Sequence, residues 1–165
     1  MAELATGHLK GVTNGAALVL GSGLGGGIII NGKLFQGSHF QAGELTFLLP
    51  LQMEKLDPSL MQETTLSAIG LITKVNEILA SLDLKDGLLA FKAINAKKEA
   101  VYPIFETYCR NLAITILNLQ TIFDMETFVL GGGISAQSIL IEEVNRQFDK
   151  VHHEIDFIGK IIKRP

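Results

Sequence analysis

Two glycine-rich runs carry the chemistry in this sequence of 165 residues. The first is Gly21-Ser22-Gly23-Leu24-Gly25-Gly26-Gly27, set between the apolar runs Ala16-Ala17-Leu18-Val19-Leu20 and Ile28-Ile29-Ile30. Glycine has no Cβ, so it bares the backbone N–H groups, and bare N–H groups in a loop bind phosphate. Five glycines in seven positions exceed what a plain turn needs, and each costs chain entropy on folding. The second run, Gly131-Gly132-Gly133, ends the apolar stretch Thr127-Phe128-Val129-Leu130 and precedes Ile134 and Ser135. A buried strand that ends in glycines lets a flat ligand approach the backbone closely. A third segment, Gly37-Ser38-His39-Phe40-Gln41-Ala42-Gly43-Glu44, places a carboxylate directly after a glycine. Such a carboxylate can accept two hydroxyl hydrogen bonds, and His39 can add another. On the residues alone, Glu44 reads as a helix-start or surface carboxylate and His39 as a loop histidine.

The elements that must position these groups follow from pattern. Gly21, Gly23 and Gly26 satisfy G-x-G-x-x-G, but the dinucleotide fingerprint requires a helix directly after the glycines. Three isoleucines follow here, then Asn31-Gly32, the favoured pair of a type I′ hairpin turn. The loop therefore joins two strands, which points to the phosphate-binding hairpin of the sugar-kinase, actin and Hsp70 class of ATPases. Strands are expected at 16–20 and 27–30, with residues 33–36 as the returning arm and a further strand over 44–51. A helix end is expected over 2–9, with Gly7 and Gly11 as stop signals. Asp57-Pro58 starts a helix to about residue 81, weakened by Gly70. Asp86-Gly87 opens a short one to about Asn95. The longest helix runs over 98–124, with Phe105, Tyr108, Cys109, Leu112, Ile116, Leu119 and Phe123 on one stripe and Pro103 near its start. A strand over 127–130, a helix over 136–152 capped by Ser135, and a final strand over 157–162 complete a mixed α/β lobe.

Composition bounds the function. The length suits one domain over residues 1–165. A chain that is 47% hydrophobic and 19% charged has apolar surface to bury against a further lobe or a second subunit. No run of about 18 apolar residues indicates a membrane span, and the start lacks a signal-peptide pattern. The single cysteine, Cys109, excludes an internal disulfide and a multi-cysteine zinc site, so a cytoplasmic protein is the simplest reading. The net charge is −3, and the basic cluster Lys160, Lys163, Arg164 stands at the very end, which argues against nucleic-acid binding through this chain.

The glycine hairpin, then Gly-Ser-His-x-x-Ala-Gly-Glu, then Val-Leu-Gly-Gly-Gly-Ile-Ser resembles the ROK family of sugar kinases and sugar-responsive repressors over residues 2–151. The resemblance implies the large lobe of an actin-like, ribonuclease-H-like fold, with a mixed sheet and packed helices. It implies that Gly21, Ser22 and Gly23 hold ATP phosphates, with Gly25 counted among the nucleotide residues, and that Gly132 and Gly133 lie against the adenosine. Glu44, helped by His39, would accept hydroxyls of a hexose. The expected activity of the full protein is transfer of the γ-phosphate of ATP to a sugar hydroxyl, with magnesium bridging the phosphates, in a homodimer.

The sequence also departs from the family pattern. The Asp-x-Gly-Gly-Thr phosphate loop of the first lobe does not occur in it. The family's general-base aspartate falls upstream of Met1, so this chain is expected to be inactive alone. The family's zinc-binding histidine falls on Phe47, and no cysteine occurs over 48–57, which implies a zinc-free member. The family's last strand and helix fall beyond Pro165. Two other readings remain open: the sugar-sensing domain of a ROK repressor, which carries a helix-turn-helix ahead of the same fold, or a truncated, non-catalytic dimerisation or binding module. The intact glycine loop favours the kinase.

Overall fold

The structure, a computed structural model, describes residues 7–48, 65–154 and 161–165. In chain order it contains β1 (Gly15–Leu20), β2 (Leu24–Ile30), β3 (Lys33–Phe35), a 3-10 turn (Leu45–Phe47), α1 (Ala68–Ile78), α2 (Gly87–Asn95), α3 (Tyr102–Phe123), β4 (Thr127–Gly132) and α4 (Ser138–Glu154). The sheet order is β3-β2-β1-β4. The first three strands form an antiparallel meander, and β4 lies parallel to β1. Among the described residues no helix is long and apolar enough to cross a membrane.

The Asn-Gly turn forms as expected. Asn31 (φ 53°) and Gly32 (φ 72°) are both left-handed, the requirement of a type I′ turn, and Ile30 pairs with Lys33 across it. The Gly32 amide donates to the Thr13 carbonyl at 2.8 Å and the Asn31 amide to the Asn14 side chain at 3.0 Å, which ties the turn to the start of β1. Leu18 and Leu20 of β1 point inward and are fully buried with Phe105, Cys109 and Leu112 of α3 and Leu140 of α4. The predicted α3 stripe is buried from Phe105 to Leu119, while Phe123 only packs against the core's edge. Pro103 occupies the first turn of α3, where its missing N–H costs nothing.

Several expectations need correction. The connecting loop is only Gly21-Ser22-Gly23, because β2 starts at Leu24 and pairs on through Gly25, Gly26 and Gly27. Over 44–48 the chain forms the 3-10 turn and not a strand: Gly43 (φ 92°) reverses it, and the Leu45 and Phe47 amides bond back to Gly43 and Glu44. The expected helix over 57–81 is broken at Ser67, whose extended backbone (ψ 121°) and side chain, accepting from the Gly70 amide at 2.9 Å, make it the cap of a new helix. Its start at Asp57 lies outside the described residues. Ser135 is no cap: its hydroxyl donates to the Gly132 carbonyl at 2.9 Å, closing a turn that delays α4 to Ser138. Most of the strand expected over 157–162 lies outside the described residues, and Ile161 is helical. So does the start of the helix expected over 2–9, and residues 8–11 form turns.

Candidate functional site

The site begins with the parallel pairing of β1 and β4. Leu20 stands opposite Gly132 at the carboxyl ends of both strands, so Gly21 and Gly133 leave the sheet side by side. That is where open α/β sheets bind ligands. Gly132 has φ 99°, and a Cβ there would lie 2.1 Å from the Leu20 carbonyl oxygen, so its missing side chain serves the close crossing of the two strands. Gly21 and Gly133 differ: a Cβ at either would meet nothing within 4 Å. Both line a cleft of about 510 Å³.

The cleft walls are apolar and the rim is charged. Ile69 and Ile72 of α1, Leu88 and Phe91 of α2, and Ile134, next to Gly133 in the chain, line it. Ile69 is 47% and Leu88 84% exposed, large apolar side chains left open to solvent. Asp83, Lys85 and Asp86 edge the cleft. Asp86 caps α2 by accepting from the Leu89 amide at 2.9 Å, and Asp83 accepts from the Lys85 amide at 2.9 Å.

The hairpin turn is itself held. The Gly21 amide donates to the Gly23 carbonyl at 3.0 Å, and the Gly21 carbonyl accepts from the Ala68 and Ile69 amides at 2.9 and 3.4 Å. The first-turn amides of α1 are therefore committed, and α1 offers the turn the positive end of its dipole, not free donors. Ser22 is exposed and Gly23 half-buried in the same turn. Gly25 lies further along, in β2 opposite Val19 and exposed, and does not line the cleft.

The candidate sugar residues sit on a separate loop. The Ala42 amide donates to the Gln36 carbonyl at 3.2 Å and the Glu44 amide to Gln41 at 3.3 Å, folding residues 36–44 back on themselves. His39 and Glu44 are both exposed, and neither lines the cleft. Phe47, at the position of the family's histidine, is 62% exposed. Among the described residues no three His, Cys, Asp or Glu side chains come together as a metal site.

Away from the residues that line the cleft, a polar clamp fixes α4 to α3. The buried Glu143 accepts from the Tyr102 hydroxyl at 3.1 Å, Arg146 Nε at 2.8 Å and Gln147 Nε2 at 2.7 Å, while Arg146 also binds Glu106. Burial works to raise the Glu143 carboxyl, but the hydrogen bonds from Arg146, Gln147 and Tyr102 outweigh it and hold it below the usual carboxylate range. Burial, together with the bond to Glu143, pushes the Tyr102 hydroxyl up to about 12. Burial also pushes the Cys109 thiol up, away from its reactive form.

The ROK family profile matches residues 1–155. The chain belongs to the ROK family. An N-acetyl-D-glucosamine kinase of Vibrio cholerae serotype O1 is 30% identical over 173 residues, covering 94% of this chain and 55% of that protein. A ROK family protein of Streptococcus pneumoniae, solved in complex with sucrose, is 29% identical with a TM-score of 0.75, covering 88% of this chain and 50% of that one. A ROK glucokinase of Streptomyces griseus, solved with glucose and AMPPNP, has a TM-score of 0.75 at 23% identity, covering 90% of this chain and 54% of that one, a likeness of fold. The fold is the actin-like ATPase fold of ROK kinases. The chain spans about half the length of the curated relatives it matches.

The sequence reading of this ROK chain missed Ser67, the Asp83–Asp86 rim and the apolar walls. One signal was available: Leu88 and Leu89 are adjacent at the start of α2, and adjacent residues of a helix do not share one buried stripe.

Proposed function

We propose that this chain is the nucleotide- and sugar-binding lobe of an ATP-dependent hexose kinase. The observation that carries the reading is the cleft shared by Gly21 and Gly133, open where each lacks a Cβ and lined by apolar side chains. A purine fits against Ile69 and Ile72 of α1 and Leu88 and Phe91 of α2, with Gly132 and Gly133 beneath the adenosine. The polyphosphate then runs toward the Gly21-Ser22-Gly23 turn, into the field of the α1 N-terminus. Glu44 accepts hydroxyls of the hexose and His39 adds a further contact, both with side chains free of partners among the described residues.

Magnesium would be carried by the ATP phosphates beside the Gly21-Ser22-Gly23 turn and would offset their charge. The carboxylates at the cleft, Asp83 and Asp86, already accept backbone amides, which suits a cation carried by phosphate and water more than a protein cage. The proposal includes a cytoplasmic homodimer, for which exposed Ile114 and Ile122 leave apolar surface on α3. The N-acetyl-D-glucosamine kinase of Vibrio cholerae and the glucose–AMPPNP complex of the Streptomyces griseus protein support the reading.

Isothermal titration of the chain with ATP–magnesium and with a hexose panel tests it. Binding of both in the micromolar to millimolar range is expected. Binding of hexose without ATP would favour the sugar-sensing alternative, and a chain that binds neither would be a non-catalytic module.

A further inference from the structure

We propose that Gly26 and Gly43 are positioning residues, whose backbone-to-backbone contact sets the placement of Glu44 relative to the Gly21-Ser22-Gly23 turn. The proposal rests on the reading of Glu44 as a sugar ligand. Strand β2 is the rail that connects the two parts. It leaves the turn at Leu24, is paired by β1 from Leu24 to Ile29 and by β3 only at Ile28–Ile30, and carries Gly26 three residues beyond Gly23. At about 3.4 Å per residue this places Gly26 roughly 10 Å from the turn.

At Gly26 the sugar loop rests directly on the strand. A Cβ on Gly26 would lie 2.6 Å from the Gly43 carbonyl oxygen and 2.7 Å from the Leu45 side chain. A Cβ on Gly43 would lie 2.7 Å from the Gly26 carbonyl oxygen, and its φ of 92° independently demands glycine. Each glycine leaves room for the other's backbone. The neighbours carry no such requirement: a Cβ on Gly25 would make an ordinary 3.6 Å contact with Val19, and one on Gly27 would meet nothing within 4 Å.

Glu44 is thus bracketed. Gly43 before it is seated on β2, and Leu45 after it is 6% exposed and packed in the core. The backbone of Glu44 is held on both sides while its carboxylate stays exposed. Phosphoryl transfer needs this, because a misplacement of about 1 Å between reacting groups costs on the order of 100-fold in rate. The glycines of β2, read from the sequence as part of a phosphate loop, divide in the structure: Gly26 holds the sugar loop at a set distance from the phosphate turn.

The experiment compares the wild-type chain with Gly26→Ala, and with Gly27→Ala as control, by titration with ATP–magnesium and with the hexose that binds best. Gly26→Ala is expected to weaken hexose binding at least tenfold with ATP affinity within twofold, and Gly27→Ala to leave both unchanged. Amide hydrogen exchange on the wild type supplies a readout that needs no substitution: saturating hexose should slow residues 25–27 together with 43–45. Unchanged hexose affinity in folded Gly26→Ala, equal loss of both affinities, or slowing confined to the loop overturns the proposal alone. A wild type that binds ATP and no hexose overturns the sugar reading and this proposal with it.

Discussion

The backbone carbonyl of Gly21 accepts the amide of Ala68 at 2.9 Å, so the Gly21-Ser22-Gly23 turn and the first turn of α1 form one unit. Ser67, which caps α1, is the residue through which the two can be separated experimentally. Ser67→Ala loses the bond to the Gly70 amide and should cost about 1 kcal/mol in urea unfolding. Ser67→Asp keeps a cap acceptor but sets a carboxylate in a nearly buried position that faces the Gly21 carbonyl, where the wild-type hydroxyl donates at 3.5 Å, so it should also lower stability. ATP affinity of the folded Ser67→Asp protein should fall severalfold by titration, whereas Ser67→Ala, which adds no charge, should leave it near wild type.

Gly132 and Gly133 are adjacent and should respond oppositely. Gly132→Ala forces a Cβ against the Leu20 carbonyl at a positive φ and should destabilise by roughly 3 kcal/mol or more. Gly133→Ala meets open space, so thermal unfolding should barely change while ATP affinity drops as the methyl group enters the cleft.

What was legible in the sequence was local. The Asn31-Gly32 turn, the Asp86 cap and the α3 stripe each depend on residues within a few positions of one another, and each appears as expected. The break at Ser67 was hidden because its cause, the Gly21 carbonyl, is distant in sequence. Gly25 and Gly26 read as loop because glycine alone does not reveal pairing, and the partners that keep them in β2, Val19 and Leu18, lie on β1. Ser135 was misread because a serine ahead of a helix serves equally as cap or as turn closure, and the Gly132 carbonyl decides between them. The family resemblance assigns the two glycine runs to one nucleotide, but the parallel pairing of β1 with β4 that sets them side by side is a long-range contact that neither run reveals.

Leu88 tests the apolar walls. It is 84% exposed, so Leu88→Asp should change stability by no more than about 0.5 kcal/mol. If a purine packs there, ATP affinity by titration should fall about tenfold, and hexose affinity should not change.

The Glu143 clamp predicts an acid-sensitive fold. Its folded carboxyl titrates below the usual range, so between the two values the unfolded chain binds more protons and stability rises with pH. The contribution is complete above about pH 4.3, the ordinary glutamate value, and is lost as pH falls through the depressed one. Arg146 is 41% exposed, which discounts the ion pair. Glu143→Gln should therefore cost about 1–2 kcal/mol at pH 7, and the difference from wild type should shrink toward pH 3, as read by urea unfolding.

The 165-residue chain should bind without turning over. Proton removal from the sugar hydroxyl needs a positioned base, and the carboxylates that edge the cleft, Asp83 and Asp86, belong to a cleft that neither proposed sugar residue, Glu44 or His39, lines. Hexose-dependent ADP release above that of a Gly21, Gly23 double mutant would overturn this.

The parallel pairing of β1 and β4 has a kinetic consequence. Strands that run the same way cannot be joined by a tight turn, and here α1, α2 and α3 all lie between them in the chain. The meander of β1, β2 and β3 closes early through short connections, while β4 must wait for a long loop to close. A refolding chain is therefore expected to regain its hairpins before it regains the cleft, which is the last part of the fold to form.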